Sequence, residues 1–63
     1  MRKLNKITTL RKEKGITQKK LSLEVGITRA YLSNLENGKH KPSLEVALKI
    51  AETLESTVEK IFK

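Results

Sequence analysis

Apolar side chains recur at three- and four-residue steps along the whole chain, and glycines at 15, 26 and 38 cut that rhythm into pieces. A helical spacing interrupted so often folds as several short helices, none stable until its apolar face meets another. Leu4, Ile7 and Leu10 make the first stripe, which stops at Gly15, a residue free to take the left-handed backbone that closes a helix. Thr17 is placed to cap a second helix, Gln18 to about Val25, with Leu21 and Val25 inward. Thr28 caps a third, Arg29 to about Glu36, with Leu32 and Leu35 inward and Asn37-Gly38 at its end. Lys39-His40-Lys41-Pro42 reads as an exposed loop. Ser43 caps the longest helix, where Leu44, Ala47, Leu48, Ala51 and Leu54 share a face that Val46 and Ile50 widen; this helix is expected to be the central one. Beyond a last cap, Thr57, the residues Val58, Ile61 and Phe62 mark a short fifth helix. No strand signal, linker or repeat appears. The expected fold class is all-α, a compact five-helix bundle forming a single domain over residues 1–63.

A chain of 63 residues has a small core, and its composition removes the usual supplements. With no cysteine a disulfide is impossible, and one histidine, His40, is too few for a Cys/His zinc site. Stability is left to helix packing, self-association, or both. Net charge is +7, and it is unevenly spread: residues 1–41 hold 11 basic side chains against 3 acidic, residues 42–63 hold 3 against 4. That asymmetry suits a basic face turned to a polyanion, with a near-neutral C-terminal part free of it. No apolar run exceeds three residues (Val46-Ala47-Leu48), which excludes a membrane-spanning helix, and Met1-Arg2-Lys3 is not followed by the apolar stretch of a signal peptide. The expected location is the cytoplasm. The chain has no aspartate and no phosphate-cradling glycine loop, and its length leaves no room for a pocket. No enzyme activity, cofactor, metal or small-molecule substrate is expected, since capping accounts for its serines and threonines.

Thr17 to Asn37 carries the functional signal. Two capped helices flank a three-residue turn, Gly26-Ile27-Thr28, too short to let them run antiparallel. They cross steeply, with Leu21, Val25, Ile27, Leu32 and Leu35 tying the corner together. The outer face of the second helix then carries Arg29, Ala30, Tyr31, Ser33 and Asn34. Such a face suits the major groove of a duplex. Arg29 can donate two parallel hydrogen bonds to a guanine edge, Asn34 can pair with adenine, and Ala30 can touch a thymine methyl while allowing close approach.

In order and register, these residues resemble the phage-repressor/Cro (Xre-like) helix-turn-helix family across nearly the whole chain. The carrying residues are Leu10-Arg11, Gly15-Ile16-Thr17-Gln18, Leu21, Val25-Gly26-Ile27-Thr28, Leu32, Leu35-Glu36-Asn37-Gly38-Lys39 and Pro42-Ser43-Leu44, followed by Ala51, Leu54 and Ile61-Phe62. The resemblance implies a lambda-repressor-like bundle whose third helix reads double-stranded DNA, usually as a homodimer on a near-palindromic site. It puts Arg29, Ala30 and Asn34 on bases, with Tyr31 either joining them or packing back on the second helix. Gln18 falls where the family grips a phosphate, Thr28 holds a similar place on the third helix, and Thr17 and Ser33 stand beside them. Asn37, Lys39 and Lys41 match a loop that touches phosphates through side chains and backbone amides. Arg11 and Glu36 match an internal ion pair, and Val58, Ile61 and Phe62 lie in the region the family often uses to dimerise.

The chain departs from the pattern in three places. Ser22 stands where an alanine is usual, Leu23 where a polar residue is usual, and Glu55-Ser56 where glycine and an apolar residue are usual. The function implied is a sequence-specific transcriptional regulator, most simply a repressor that excludes polymerase. Two rival roles use the same features: a protein-interaction module of this fold, antitoxin- or co-activator-like, and a non-specific nucleic-acid packaging protein. The second gives no reason for Arg29, Ala30 and Asn34 to share a face.

Overall fold

The computed structural model describes residues 5–62. Arg2, Lys3 and Leu4, to which the sequence assigns a charged flank and a first core position, lie outside them. Five helices follow in order: α1 (Ile7–Glu13), α2 (Gln18–Val25), α3 (Arg29–Glu36), α4 (Leu44–Thr53) and α5 (Val58–Phe62), with no strand among the described residues.

The starts of α2, α3, α4 and α5 each have a side-chain cap. Thr17, Thr28, Ser43 and Thr57 accept from the backbone N–H groups of Lys20, Tyr31, Val46 and Lys60 at 3.0–3.2 Å. At α1 the N-cap residue, Lys6, makes no such bond, and the preceding Asn5, not foreseen from the sequence, secures the helix start instead. Its Oδ1 accepts from Ile7 N at 3.1 Å while its Nδ2 donates to the carbonyl of Leu35 at 2.7 Å, fastening the start of α1 to the end of α3. Lys6 N donates to the carbonyl of Ile61 at 2.8 Å and ties the same point to α5.

The ends of α1, α3 and α4 follow one design. After α1, Gly15 (φ 69°) donates to Lys12 and Ile16 donates to Arg11; after α3, Gly38 (φ 76°) donates to Leu35 and Lys39 to Asn34. Such paired bonds need a left-handed residue just past the helix. The end of α4 has the same pair, Glu55 to Glu52 and Ser56 to Ala51, but the left-handed residue is Glu55 (φ 55°). The departure at 55–56 thus keeps the geometry and puts a side chain where glycine would be unstrained.

Ile7, Leu21, Leu32, Leu35, Ile50, Leu54 and Ile61 are the fully buried large side chains, so every helix feeds one core. On α4 the sequence reading needs correcting. Leu44 and Leu48 are 70% and 53% exposed, and the buried arc runs through Ala47, Ile50 and Ala51 to Leu54. With Ile50 drawing the helix round toward the core, Leu48 falls roughly 110° from the centre of that arc. Ser22 is buried with its Oγ donating to the carbonyl of Lys19 at 2.8 Å, so its hydroxyl is satisfied locally; Leu23 is 71% exposed.

Candidate nucleic-acid interface

The corner between α2 and α3 turns at Gly26, whose φ of 86° lies in the left-handed region. No atom beyond the adjoining residues lies within 4 Å of where a Cβ would stand, so backbone conformation, not crowding, calls for glycine here. Gly26 N and Ile27 N both donate to the carbonyl of Ser22, at 2.8 and 3.0 Å, closing α2 as Thr28 opens α3. Leu21, Val25, Leu32 and Leu35 are buried beneath, with Ile27 half-buried over them.

With that side of α3 spent on the core, the other side is open. Arg29 and Ala30 are exposed, and Ser33 and Asn34 are half-buried one turn on. Tyr31 is half-buried and packs against the core, its ring centroid 6.2 Å from that of His40. The ion pairs among the described residues are Arg11–Glu36 and Lys14–Glu55, which leaves Arg29, Lys39 and Lys41 without a carboxylate partner there. Thr17 and Thr28 each accept one amide bond as caps and keep the hydroxyl hydrogen available for donation.

The loop after α3 corrects one expectation. The N–H groups of Asn37, Gly38 and Lys39 donate to the carbonyls of Ser33, Leu35 and Asn34, so those three amides are already occupied. The side chains of Asn37, Lys39 and Lys41 are exposed. The bond from Lys39 to Asn34 also brings the first of these lysines back beside the open face of α3.

Behind the corner lies a buried polar cluster centred on Glu36, 3% exposed. Arg11 Nε donates to Oε2 at 2.9 Å and its Nη2 to Oε1 at 3.3 Å, Thr8 Oγ1 donates to Oε1 at 2.8 Å, and Gln18 Nε2 donates to Oε1 at 3.1 Å. Arg11 Nη1 holds the carbonyl of Ile16 at 2.9 Å, reaching the loop into α2. Burial alone would raise the pKa of Glu36. The hydrogen bonds from Arg11, Gln18 and Thr8, with the charge of Arg11, outweigh it, and the carboxyl titrates below its usual 4.5. Thr8 was not singled out in the sequence, although it lies three residues before Arg11 on the same helical face.

Two further expectations change at the C-terminal end. Ile61, a core residue by its spacing that the resemblance also sets in a dimerising region, is 0% exposed and belongs to this chain's own core rather than to a dimer contact, whereas Val58 and Phe62 are half-buried. Nor is the molecule without a pocket: an open, largely apolar groove of about 810 Å³ runs between the loop at Lys39–Pro42 and α5, with Leu44, Ala47, Val58 and Phe62 on its walls.

A family model described as helix-turn-helix matches residues 7–61, from the first turn of α1 to the last of α5. The chain belongs to the helix-turn-helix family. An uncharacterised HTH-type transcriptional regulator of Bacillus subtilis strain 168, YgzD, is 40% identical over 58 residues, 92% of this chain and 88% of the relative. Another from Archaeoglobus fulgidus is 39% identical over 57 residues, 90% and 81% of the two chains. Among solved structures, the restriction-modification controller protein C.AhdI of Aeromonas hydrophila superposes with a TM-score of 0.81 at 31% identity, covering 87% of this chain and 83% of that one. This is a family of DNA-binding transcriptional regulators, not of enzymes. No described helix is long and apolar enough to cross a membrane.

Proposed function

We propose that this helix-turn-helix protein is a sequence-specific repressor that binds a near-palindromic duplex site as a homodimer. The carrying observation is the open side of α3, where Arg29 and Ala30 stand exposed at the helix start, the guanidinium without a carboxylate partner among the described residues. Arg29 and Asn34 read base edges in the major groove, Ala30 lets the helix approach, and Tyr31 contributes at the margin. Gln18 with Thr17, Thr28 with Ser33, and Asn37, Lys39 and Lys41 hold phosphates on either side and set the register. Repression follows from occupancy: a site covered by the protein is closed to polymerase. Such a regulator works in the cytoplasm, on the chromosome.

Size and surface support the homodimer. The described residues span 24 Å at most, less than the ~34 Å between successive major grooves on one side of a duplex, so one copy reads one half-site. Leu44 and Leu48 are exposed on α4, and Val58 lines both the groove beside Leu44 and the shallower depression beside Leu48. Two such surfaces meeting about a two-fold axis would cover the apolar strip.

Selection of bound sequences from a random duplex library tests the reading. A two-fold-symmetric consensus is expected; recovery of no consensus would overturn sequence-specific binding, and a single unrepeated half-site would overturn the dimer.

A further inference from the structure

Gln18 occupies the first position of α2, half-buried, between the proposed phosphate surface and the Glu36 cluster. Its amide has two N–H donors and one acceptor oxygen, and a phosphate can use only a donor. Where the amide nitrogen stands, with one N–H for each of two acceptors, therefore decides whether Gln18 helps or opposes DNA binding. Glu36 supplies the deciding neighbour. An ionised carboxylate accepts and cannot donate, so it attracts Nε2 and repels the amide oxygen. Nε2 of Gln18 indeed lies 3.1 Å from Oε1 of Glu36, leaving one N–H of the same nitrogen unspent.

We infer that Glu36 is a positioning residue for DNA binding, fixing the amide of Gln18 so that its remaining N–H is the group presented to a phosphate. This rests on the reading of Gln18 as a phosphate contact. Glu36 is too buried to touch DNA itself, and Arg11, Thr8 and Gln18 are the groups that face it. Arg11 neutralises its charge, so the carboxylate orients the amide without repelling the phosphate beyond. The same carboxylate sits at the last residue of α3 and receives donors from α1, so the amide is held in register with the helix proposed to read bases.

The test uses the full chain and a selected duplex in which each phosphate in turn is replaced by a neutral methylphosphonate. In the unmodified protein, one replacement opposite Gln18 is expected to weaken binding about tenfold, the scale of a hydrogen bond to a charged group. Gln18→Ala should erase the penalty at that phosphate alone. The paired variant Arg11→Met with Glu36→Met, which exchanges a buried ion pair for apolar side chains of similar length, should erase it too while circular dichroism shows the helices intact. If that folded variant keeps a penalty that Gln18→Ala removes, Gln18 grips the phosphate unaided and the positioning role is overturned. If Gln18→Ala leaves every penalty in place, the phosphate reading of Gln18 fails first and takes the positioning role with it. Should the paired variant not fold, nuclear magnetic resonance on the unmodified chain decides. One Nε2 proton of Gln18 should exchange slowly with water and stay in place when the duplex is added, while the other shifts. Equal, fast exchange of both protons would overturn the inference.

Discussion

Glu36 shows how much one side chain can carry in a chain of this size. Its carboxylate gathers donors from Thr8, Arg11 and Gln18, and its pKa lies below the usual 4.5. A depressed folded pKa means the carboxylate stabilises the protein above its unfolded value, and that stability is lost as pH falls through the folded one. Urea unfolding followed from neutral pH downward should therefore show stability falling below about pH 4.5, with a smaller fall in the paired Arg11→Met, Glu36→Met variant. Removing the carboxylate while Arg11 stays should cost about 3–5 kcal/mol. A core this small supplies only a similar amount, so Glu36→Ala is expected to be largely unfolded at 25 °C by circular dichroism. Arg29 is the opposite case, exposed and outside the core. Arg29→Ala should leave the melting temperature nearly unchanged yet lose ~1–3 kcal/mol on the selected site, with relaxed preference at one base pair. A variant that binds the selected and the scrambled duplex each as tightly as the parent does would argue against base reading by Arg29.

Among the elements, the left-handed closing residues govern how the helices meet. Gly26 lets α2 stop and α3 leave at a steep angle, and its φ of 86° strains any side chain although the space is open. Gly26→Ala should destabilise by ~1–2 kcal/mol through backbone strain alone. Glu55 adopts a similar conformation at the end of α4 with a side chain in place. Its partner among the described residues, Lys14 at 3.0 Å, forms an exposed ion pair of small worth. Glu55→Gly should therefore stabilise the fold, by up to about 1 kcal/mol after the glycine's greater unfolded freedom is allowed for. Thermal melts of the two variants should move in opposite directions; a drop in both would show that the Lys14 pair outweighs the strain.

For the whole molecule, the charge asymmetry becomes a surface with two ends. The basic part of the chain includes the corner and the loop at Lys39 and Lys41, while α4 and α5 are near neutral and carry the exposed Leu44 and Leu48. Affinity for a duplex should fall with salt at a log–log slope of roughly −0.9 per phosphate neutralised. Lys39→Ala and Lys41→Ala should each flatten that slope by about 1 and weaken all sequences alike. Gln18→Ala should weaken binding without changing the slope, because a neutral amide releases no counterion. Leu44→Glu should leave the fold intact, since that side chain is outside the core, and should reduce any dimer seen by analytical ultracentrifugation.

Local chemistry was enough to make the five helices, and the caps of four of them, legible. Thr17, Thr28, Ser43 and Thr57 act within three residues of themselves, and a glycine's backbone freedom needs no distant partner. The corner and its outward residues were legible for the same reason, a three-residue turn between two capped amphipathic helices. Whatever depends on rotation about a helix axis, or on the competition of several groups for one atom, waited for the packed molecule. Periodicity gave α4 an apolar face wide enough to hold Leu44, Leu48 and Ile50, but only the other four helices selected the arc that was buried. Likewise, nothing local to Gln18 reveals that its amide meets Glu36, a residue eighteen positions away brought near by the corner. Which helices form was a matter of neighbouring residues; which faces and donors remain for a partner was decided where the helices press together, because burial is a property of the assembled core.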